Sequence, residues 1–262
     1  MLRPLILLLL SLSVLTAPGF VKDSVAASKE KFHLFLLVGQ SNMAGRGKVS
    51  TADKTPHPRV KMLNKEGKWV PAVDPLHFDK SVAGVGVGKT FGTLVAETDK
   101  EITIGLIPCG AGGSPISTWE VGGYHGQTKS HPYDDAIRRA KIALEDGTLK
   151  GILWHQGESD AKPELSKIYE SKLHELIVRF RQELDAKNVP FIAGQMGQFA
   201  ERPWNDEKKQ VDKAHHDLPK KVPATAFVNS DELTHKGDQV HFDSKSYREL
   251  GRRYFEAFKS MK

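Results

Sequence analysis

Residues 32–38 read F-H-L-F-L-L-V, an apolar run that stops at Gly39 and hands over at once to the polar residues Gln40, Ser41 and Asn42. A short run of this kind, bounded by glycine and rich in Leu, Phe and Val, is what a strand buried on both faces looks like. Such strands belong to parallel sheets covered by helices on either side, so the segment constrains the fold more than any other. Comparable runs recur at residues 102–107, 151–154 and 191–193, with 60–63 and 226–228 as further candidates. Helical patterns fall between them. Leu165, Ile168, Tyr169, Leu173, Leu176, Phe180 and Leu184 share one face. Tyr247, Leu250, Tyr254, Phe255 and Phe258 do the same further on, with Asp243 or Ser244 as N-cap. The alternation predicts an α/β fold, a three-layer α/β/α sandwich around a central parallel sheet.

In such a sheet the carboxyl ends of the strands open on the crevice where ligands bind. Ser41 sits at one of those ends, a position suited to a nucleophile. It equally suits a helix N-cap, since Ser and Asn after a strand are favoured caps whatever the function. Far along the chain, Asp238-Gln239-Val240-His241-Phe242-Asp243 places a carboxylate three residues before a histidine. A serine hydroxyl needs an imidazole to take its proton, and the imidazole needs a carboxylate to hold its tautomer. All three residue types are present.

Four blocks together carry a resemblance: Gly39-Gln40-Ser41-Asn42-Met43, the segment Pro108 to Ser114 (P-C-G-A-G-G-S), Trp154 to Asp160 (W-H-Q-G-E-S-D), and Asp238 to Phe242. In this order they resemble the SGNH-type hydrolases, and within them the sialate O-acetylesterase and carbohydrate esterase family six branch, whose members include acetyl xylan esterases. The resemblance spans nearly the whole chain after its first residues. It implies a flavodoxin-like sheet and an esterase that removes acetyl groups from sugars without metal or cofactor. It also implies Ser41 as nucleophile, His241 as base and Asp238 as its partner. The oxyanion hole would combine the Ser41 N–H, an N–H of Gly112 or Gly113, and the side-chain amide of Gln156. Gln40, Asn42 and Trp119 are expected to contact substrate. Glu158, two residues past Gln156, stands as an alternative orienting acid. Two other functions fit the same blocks, namely a catalytically silent carbohydrate-binding protein of this fold and a lipase-like esterase for longer acyl chains.

Other features have plainer readings. His155, beside Trp154 at a strand end, reads as a packed, hydrogen-bonded residue. His215 and His216 lie in a charged helical stretch and read as surface residues, with no third ligand at metal-binding spacing. The glycine-containing segment 119–132 is expected to form a loop over the active face, with Trp119 and Tyr124 as lining candidates and packing as the alternative for Trp119. Residues 83–90, A-G-V-G-V-G-K-T, meet a relaxed phosphate-loop pattern, but no buried strand precedes them, so Lys89 and Thr90 are read as a helix start. Cys109 is the single cysteine, which excludes an intrachain disulfide. It reads as a small packed residue.

Arg3 followed by the apolar stretch 5–10 and its continuation has the plan of a signal peptide over residues 1–27, with cleavage between 19 and 27. This predicts a secreted or periplasmic protein without stable membrane association after cleavage, and one esterase domain over residues 28–262. The net charge is +6. Its basic residues are interleaved with acids, as in Asp206-Glu207-Lys208-Lys209, which reads as a solvated surface rather than a nucleic-acid stripe. The expected partner is an acetylated carbohydrate.

Overall fold

The computed structural model describes residues 28–261, and the expected export signal at 1–27 lies outside the described residues. Seven strands form one sheet in the order β3-β2-β4-β1-β5-β6-β7. They are β1 (Phe32–Gly39), β2 (Val60–Leu63), β3 (Trp69–Pro71), β4 (Thr103–Gly110), β5 (Thr148–His155), β6 (Phe191–Gly194) and β7 (Thr225–Val228). All neighbours run parallel except β3, which pairs antiparallel with β2 at the edge. The α-helices after β1 are α1 (Ser41–Ala44), α2 (Gly88–Glu97), α3 (Pro132–Ala143), α4 (Pro163–Glu183), α5 (Asp206–Lys221) and α6 (Ser244–Ser260).

The alternation of β1 explains why helices cover both faces. Leu34, Leu36 and Val38 point into one core, where Ile137 and Ala140 of α3, Leu173 and Phe180 of α4, and Val211 and Leu218 of α5 are buried. Phe35 and Leu37 point into the other, against Phe91 and Val95 of α2 and Tyr247, Leu250, Tyr254 and Phe258 of α6. There Phe35 meets Phe91 and Phe258 edge-on, at ring centroid distances of 4.9 and 5.1 Å, the arrangement that aromatic quadrupoles favour. The expected α/β/α sandwich is the observed fold.

Local chemistry sets the helix starts. Asp243 caps α6, its carboxylate accepting from Ser246 N at 2.7 Å, and Asn205 caps α5 by accepting from Lys208 N at 3.0 Å. Pro132 and Pro163 open α3 and α4, where a missing N–H costs nothing. Two details differ from expectation. On α4 the buried stripe runs through Ile177, while Ile168 is 44% exposed. His215 is fully buried, its Nε2 2.8 Å from the Tyr169 hydroxyl, and burial lowers its pKa to about 3. It is a neutral core residue, while its neighbour His216 is at the surface.

The glycines of the phosphate-loop-like segment serve close backbone packing. Val85 and Gly47 exchange N–H···O bonds of 2.9 and 3.1 Å, and Gly84 N donates to Gly45 O at 3.1 Å. A Cβ on Gly84 would run into the Gly47 carbonyl. The segment thus buttresses the chain just after α1 and leads into α2, which begins at Gly88.

Register fixes where the chemistry can sit. Gly39 is level with Gly110 of β4 and with His155 of β5. The residues that follow these three central strands, Gln40-Ser41, Ala111-Gly112-Gly113 and Gln156-Gly157-Glu158, therefore emerge side by side at the carboxyl edge. Gly39 makes the close approach possible: its φ is +133°, and a side chain there would strike the His155 carbonyl. Among the described residues no helix is long and apolar enough to cross a membrane.

Candidate active site

Ser41 is the first residue of α1 and is 7% exposed. Its Oγ lies 3.0 Å from His241 Nε2. His241 Nδ1 lies 2.7 Å from Asp238 Oδ2. With Nδ1–H donating to Asp238, Nε2 is left to accept the hydroxyl proton. Asp238 is held in turn by its own turn, where Oδ1 accepts from His241 N at 2.8 Å and from Val240 N at 3.1 Å. Burial would raise its pKa, but those N–H groups and the imidazole together hold the carboxyl well below the usual carboxylate range. It stays ionised facing the imidazole.

Glu158 is placed differently. Its Oε1 accepts from Asn42 Nδ2 at 2.6 Å, and Asp238 occupies the partner position at His241 Nδ1. Asn42 is fully buried rather than turned to substrate. Besides Glu158, its Nδ2 donates to Val240 O at 3.1 Å, and its Oδ1 accepts from Tyr247 OH at 2.6 Å. The residue after the serine is thereby tied to the residue before the histidine, across 198 positions of sequence.

The loop after β4 has equally specific anchors. Gly110 N donates to His77 Nδ1 at 3.0 Å, and Gly112 N donates to Asp79 Oδ2 at 2.9 Å. Burial lowers the His77 pKa to about 4, so the ring is neutral and able to accept. Asp79 also receives Arg46 Nη2 at 2.7 Å, an ion pair whose side chains are 5% and 1% exposed. Breaking one side of such a pair would leave the other charge buried without a partner. With Gly112 N–H committed to Asp79, the backbone N–H groups of Gly113 and Ser41, both in the lining of the Ser41 pocket, are without an acceptor among the described residues.

Gln156 is not turned toward this pocket. It is fully buried, its Nε2 donates to Ser114 O at 3.0 Å and to the Asp160 carboxylate, and its Oε1 accepts from Tyr169 OH at 2.8 Å. Both amide hydrogens are engaged, so the expected oxyanion role has no donor left to perform it. Burial pushes the Asp160 pKa up to about 6, against the bonds it accepts from Gln156 and from Ile116 N. Trp119 is likewise core. Its indole N–H donates to Ser114 Oγ at 2.9 Å and its ring meets Trp154 edge-on at 5.2 Å, which removes it from the substrate-contacting set. His155 packs as its plain reading has it: Nδ1 lies 3.1 Å from Tyr254 OH, and burial lowers its pKa to about 3. Cys109 is half-buried, and burial pushes its thiol up to about 11, far from a reactive thiolate.

The pocket over Ser41 has a volume of about 410 Å³. Gln40, Gly112, Gly113, Glu158 and His241 line it, together with the polar side chains of Lys80, Gln127, Ser159 and Arg202 and the apolar ones of Val82 and Val240. Gln40 Oε1 accepts from Ser159 N at 3.3 Å, which braces the turn after β5. The loop 119–132 reaches the pocket through Gln127, whose Oε1 accepts from Lys80 Nζ at 2.9 Å, rather than through Trp119. The signals for Asp79, Arg46 and Gln127 were absent from sequence patterning: each is an ordinary loop residue whose partner lies 33 or 47 positions away.

A family model described as carbohydrate esterase, sialic acid-specific acetylesterase, matches residues 31–260. A probable carbohydrate esterase of Arabidopsis thaliana is 29% identical over 265 residues, covering 93% of this chain and 96% of its own. A solved Arabidopsis thaliana structure superposes with a TM-score of 0.76 at 28% identity, over 87% of this chain and 98% of that one. NanS shares the fold at a TM-score of 0.71 and 18% identity, over 89% of this chain and 98% of NanS.

Proposed function

The chain belongs to the family of carbohydrate esterases described as sialic acid-specific acetylesterases, and from that premise we propose an exported serine esterase that removes O-acetyl groups from carbohydrate through an acyl-enzyme on Ser41. The observation that carries the reading is the relay from Asp238 through His241 to Ser41, with contacts of 2.7 and 3.0 Å, at the carboxyl edge of β1.

Ser41 Oγ attacks the acetyl carbonyl carbon as its proton passes to His241 Nε2. The carbonyl oxygen becomes an oxyanion, and the N–H groups of Ser41 and Gly113 are the donors available to it. Collapse breaks the bond between the acyl carbon and the sugar oxygen, and His241 returns the proton to that oxygen. A water molecule then attacks the acyl-enzyme with His241 again as base, releasing acetate and restoring the serine. Asp238, ionised throughout, stabilises the imidazolium formed in each half. The polar side chains of Lys80, Gln127, Ser159 and Arg202 in the pocket lining supply hydrogen-bonding partners for a hydroxylated leaving group.

The test is acetate release from acetylated xylan and from p-nitrophenyl acetate by wild-type protein and by Ser41→Ala. Loss of about three orders of magnitude in kcat is expected for the variant; a loss of less than about tenfold would remove Ser41 from the mechanism. Export rests on residues 1–27 alone, and the N-terminal mass of protein recovered outside the cytoplasm tests it.

A further inference from the structure

A second cavity, of about 440 Å³, lies directly beside the Ser41 pocket. The same three segments wall both. Lys80, Gly112, Gly113 and Gln127 face the serine side, while Phe78, Asp79, Gly110, Ala111, Thr128 and Ser130 face the other. The hydrogen bond from Lys80 Nζ to Gln127 Oε1, 2.9 Å, joins the two loops between the cavities. A chain leaving the acetylated unit over Ser41 has this bridge as its threshold and the second cavity as its next space.

Phe78 is the distinctive feature of that space. It is 41% exposed, the one large ring among the described residues of a wall that also carries Pro108, Ala111 and Pro132. Its position is fixed from behind: the Arg139 guanidinium lies 4.8 Å from the ring centroid. Arg139 is itself immobilised by three backbone carbonyls, those of Leu63, Asn64 and Pro108, at 2.6, 3.0 and 3.2 Å. A cation behind an aromatic ring draws on its π-face and holds it flat. The wall also carries hydroxyls, with Thr128 Oγ1 and Ser130 Oγ 2.7 Å apart, and the charged groups of Lys65, Lys129, Asp135 and Arg138. A fixed aromatic plate beside hydroxyl, ammonium and carboxylate groups matches the chemistry of a pyranose or furanose ring, whose C–H face is apolar and whose edge is all hydroxyl.

We propose that this cavity is a second saccharide subsite, taking the sugar unit adjoining the acetylated one, with Phe78 as its stacking platform. The preferred substrate is then an oligosaccharide or polysaccharide chain rather than a single acetylated sugar. The proposal rests on the esterase reading above.

The experiment compares acetylated xylotetraose, acetylated methyl xyloside and p-nitrophenyl acetate with wild type, Phe78→Ala and Phe78→Trp. Wild type is expected to show a KM at least about tenfold lower on the tetraose than on the xyloside, a difference of about 1.4 kcal/mol. Phe78→Ala abolishes that preference and Phe78→Trp restores it, while the KM for the xyloside stays where it was. Equal KM values for tetraose and xyloside in wild type, or a Phe78→Ala loss shared by all three esters, would overturn the subsite. If no ester is cleaved by folded protein, the esterase reading fails first. The subsite is then decided by calorimetric binding of unacetylated xylotetraose, which must be present in wild type and lost in Phe78→Ala.

Discussion

Replacing Asn42 with alanine tests whether this residue aligns the serine and the histidine or touches substrate. The side chain makes three bonds: to Glu158 Oε1 at 2.6 Å, to Val240 O at 3.1 Å, and from Tyr247 OH at 2.6 Å. Its removal leaves a carboxylate oxygen and a phenol hydroxyl with one partner fewer, and Glu158 Oε2 already has none. At about 1–3 kcal/mol for each buried group deprived of its bond, the expected loss of stability is about 3 kcal/mol. In a domain of this size that corresponds to a fall of roughly 10 °C in Tm. The loss in catalysis follows from geometry: without the tether to Val240 the His241 turn is no longer pinned to α1. A displacement on the order of 1 Å costs about a hundredfold in kcat. Because Asn42 is fully buried and does not line the pocket, KM stays near its wild-type value. Tyr247→Phe keeps both Asn42 donations and should retain kcat within about fivefold, by the modest worth of one hydrogen bond. Steady-state kinetics on p-nitrophenyl acetate, at a temperature where thermal melts show every variant folded, decides the matter. A raised KM with unchanged kcat in Asn42→Ala would refute the alignment argument and return the residue to the substrate surface.

Asp238→Asn should lower kcat by about 10⁴, because the amide can fix the imidazole in the wrong tautomer, whereas Glu158→Gln, which keeps an acceptor for Asn42, should lose less than about tenfold. The reverse order in steady-state rates would make Glu158 the orienting acid. Asp74 gives a signature in stability: burial raises its pKa from 3.8 to about 7. Between those values the folded protein keeps a proton that the unfolded chain has released, so stability declines as pH rises through the window and levels off above it. Asp74→Asn lacks the titration. Its stability to denaturant should gain on wild type steadily from about pH 4 to pH 7 and no further, by on the order of 4 kcal/mol in all; a difference independent of pH would show that Asp74 does not titrate in this range.

The strands and the long helices were legible because burial on two faces leaves a continuous apolar run, and burial on one leaves a stripe. β3 was not: three residues ending in Pro71 on an antiparallel edge carry neither pattern. Ser41, His241 and Asp238 could be singled out because each sits in a short block that carries the family resemblance, and the structure brings the three within hydrogen-bond reach. Gln156 and Trp119 were misplaced for the opposite reason. A strand end tells which loop a residue is on but not which way its side chain turns, and here both turn inward to Ser114. His215 looked exposed among lysines and acids, yet the helix phase puts it under Tyr169. The Arg46–Asp79 pair and the Phe78 plate depend on loops meeting in space, which no local pattern records.

Ser41 and His241, whose side chains meet at 3.0 Å, are separated by 200 residues of chain. One is delivered by the first strand of the sheet, the other by the turn ahead of its last helix. On the proposed mechanism the hydroxyl therefore lacks its base during synthesis until the turn that carries His241 has emerged and α6 has closed against α2 and β7. Regain of hydrolytic activity in a refolding experiment is accordingly a clock for the docking of that final helix, and any partly assembled form with the central strands already paired remains silent.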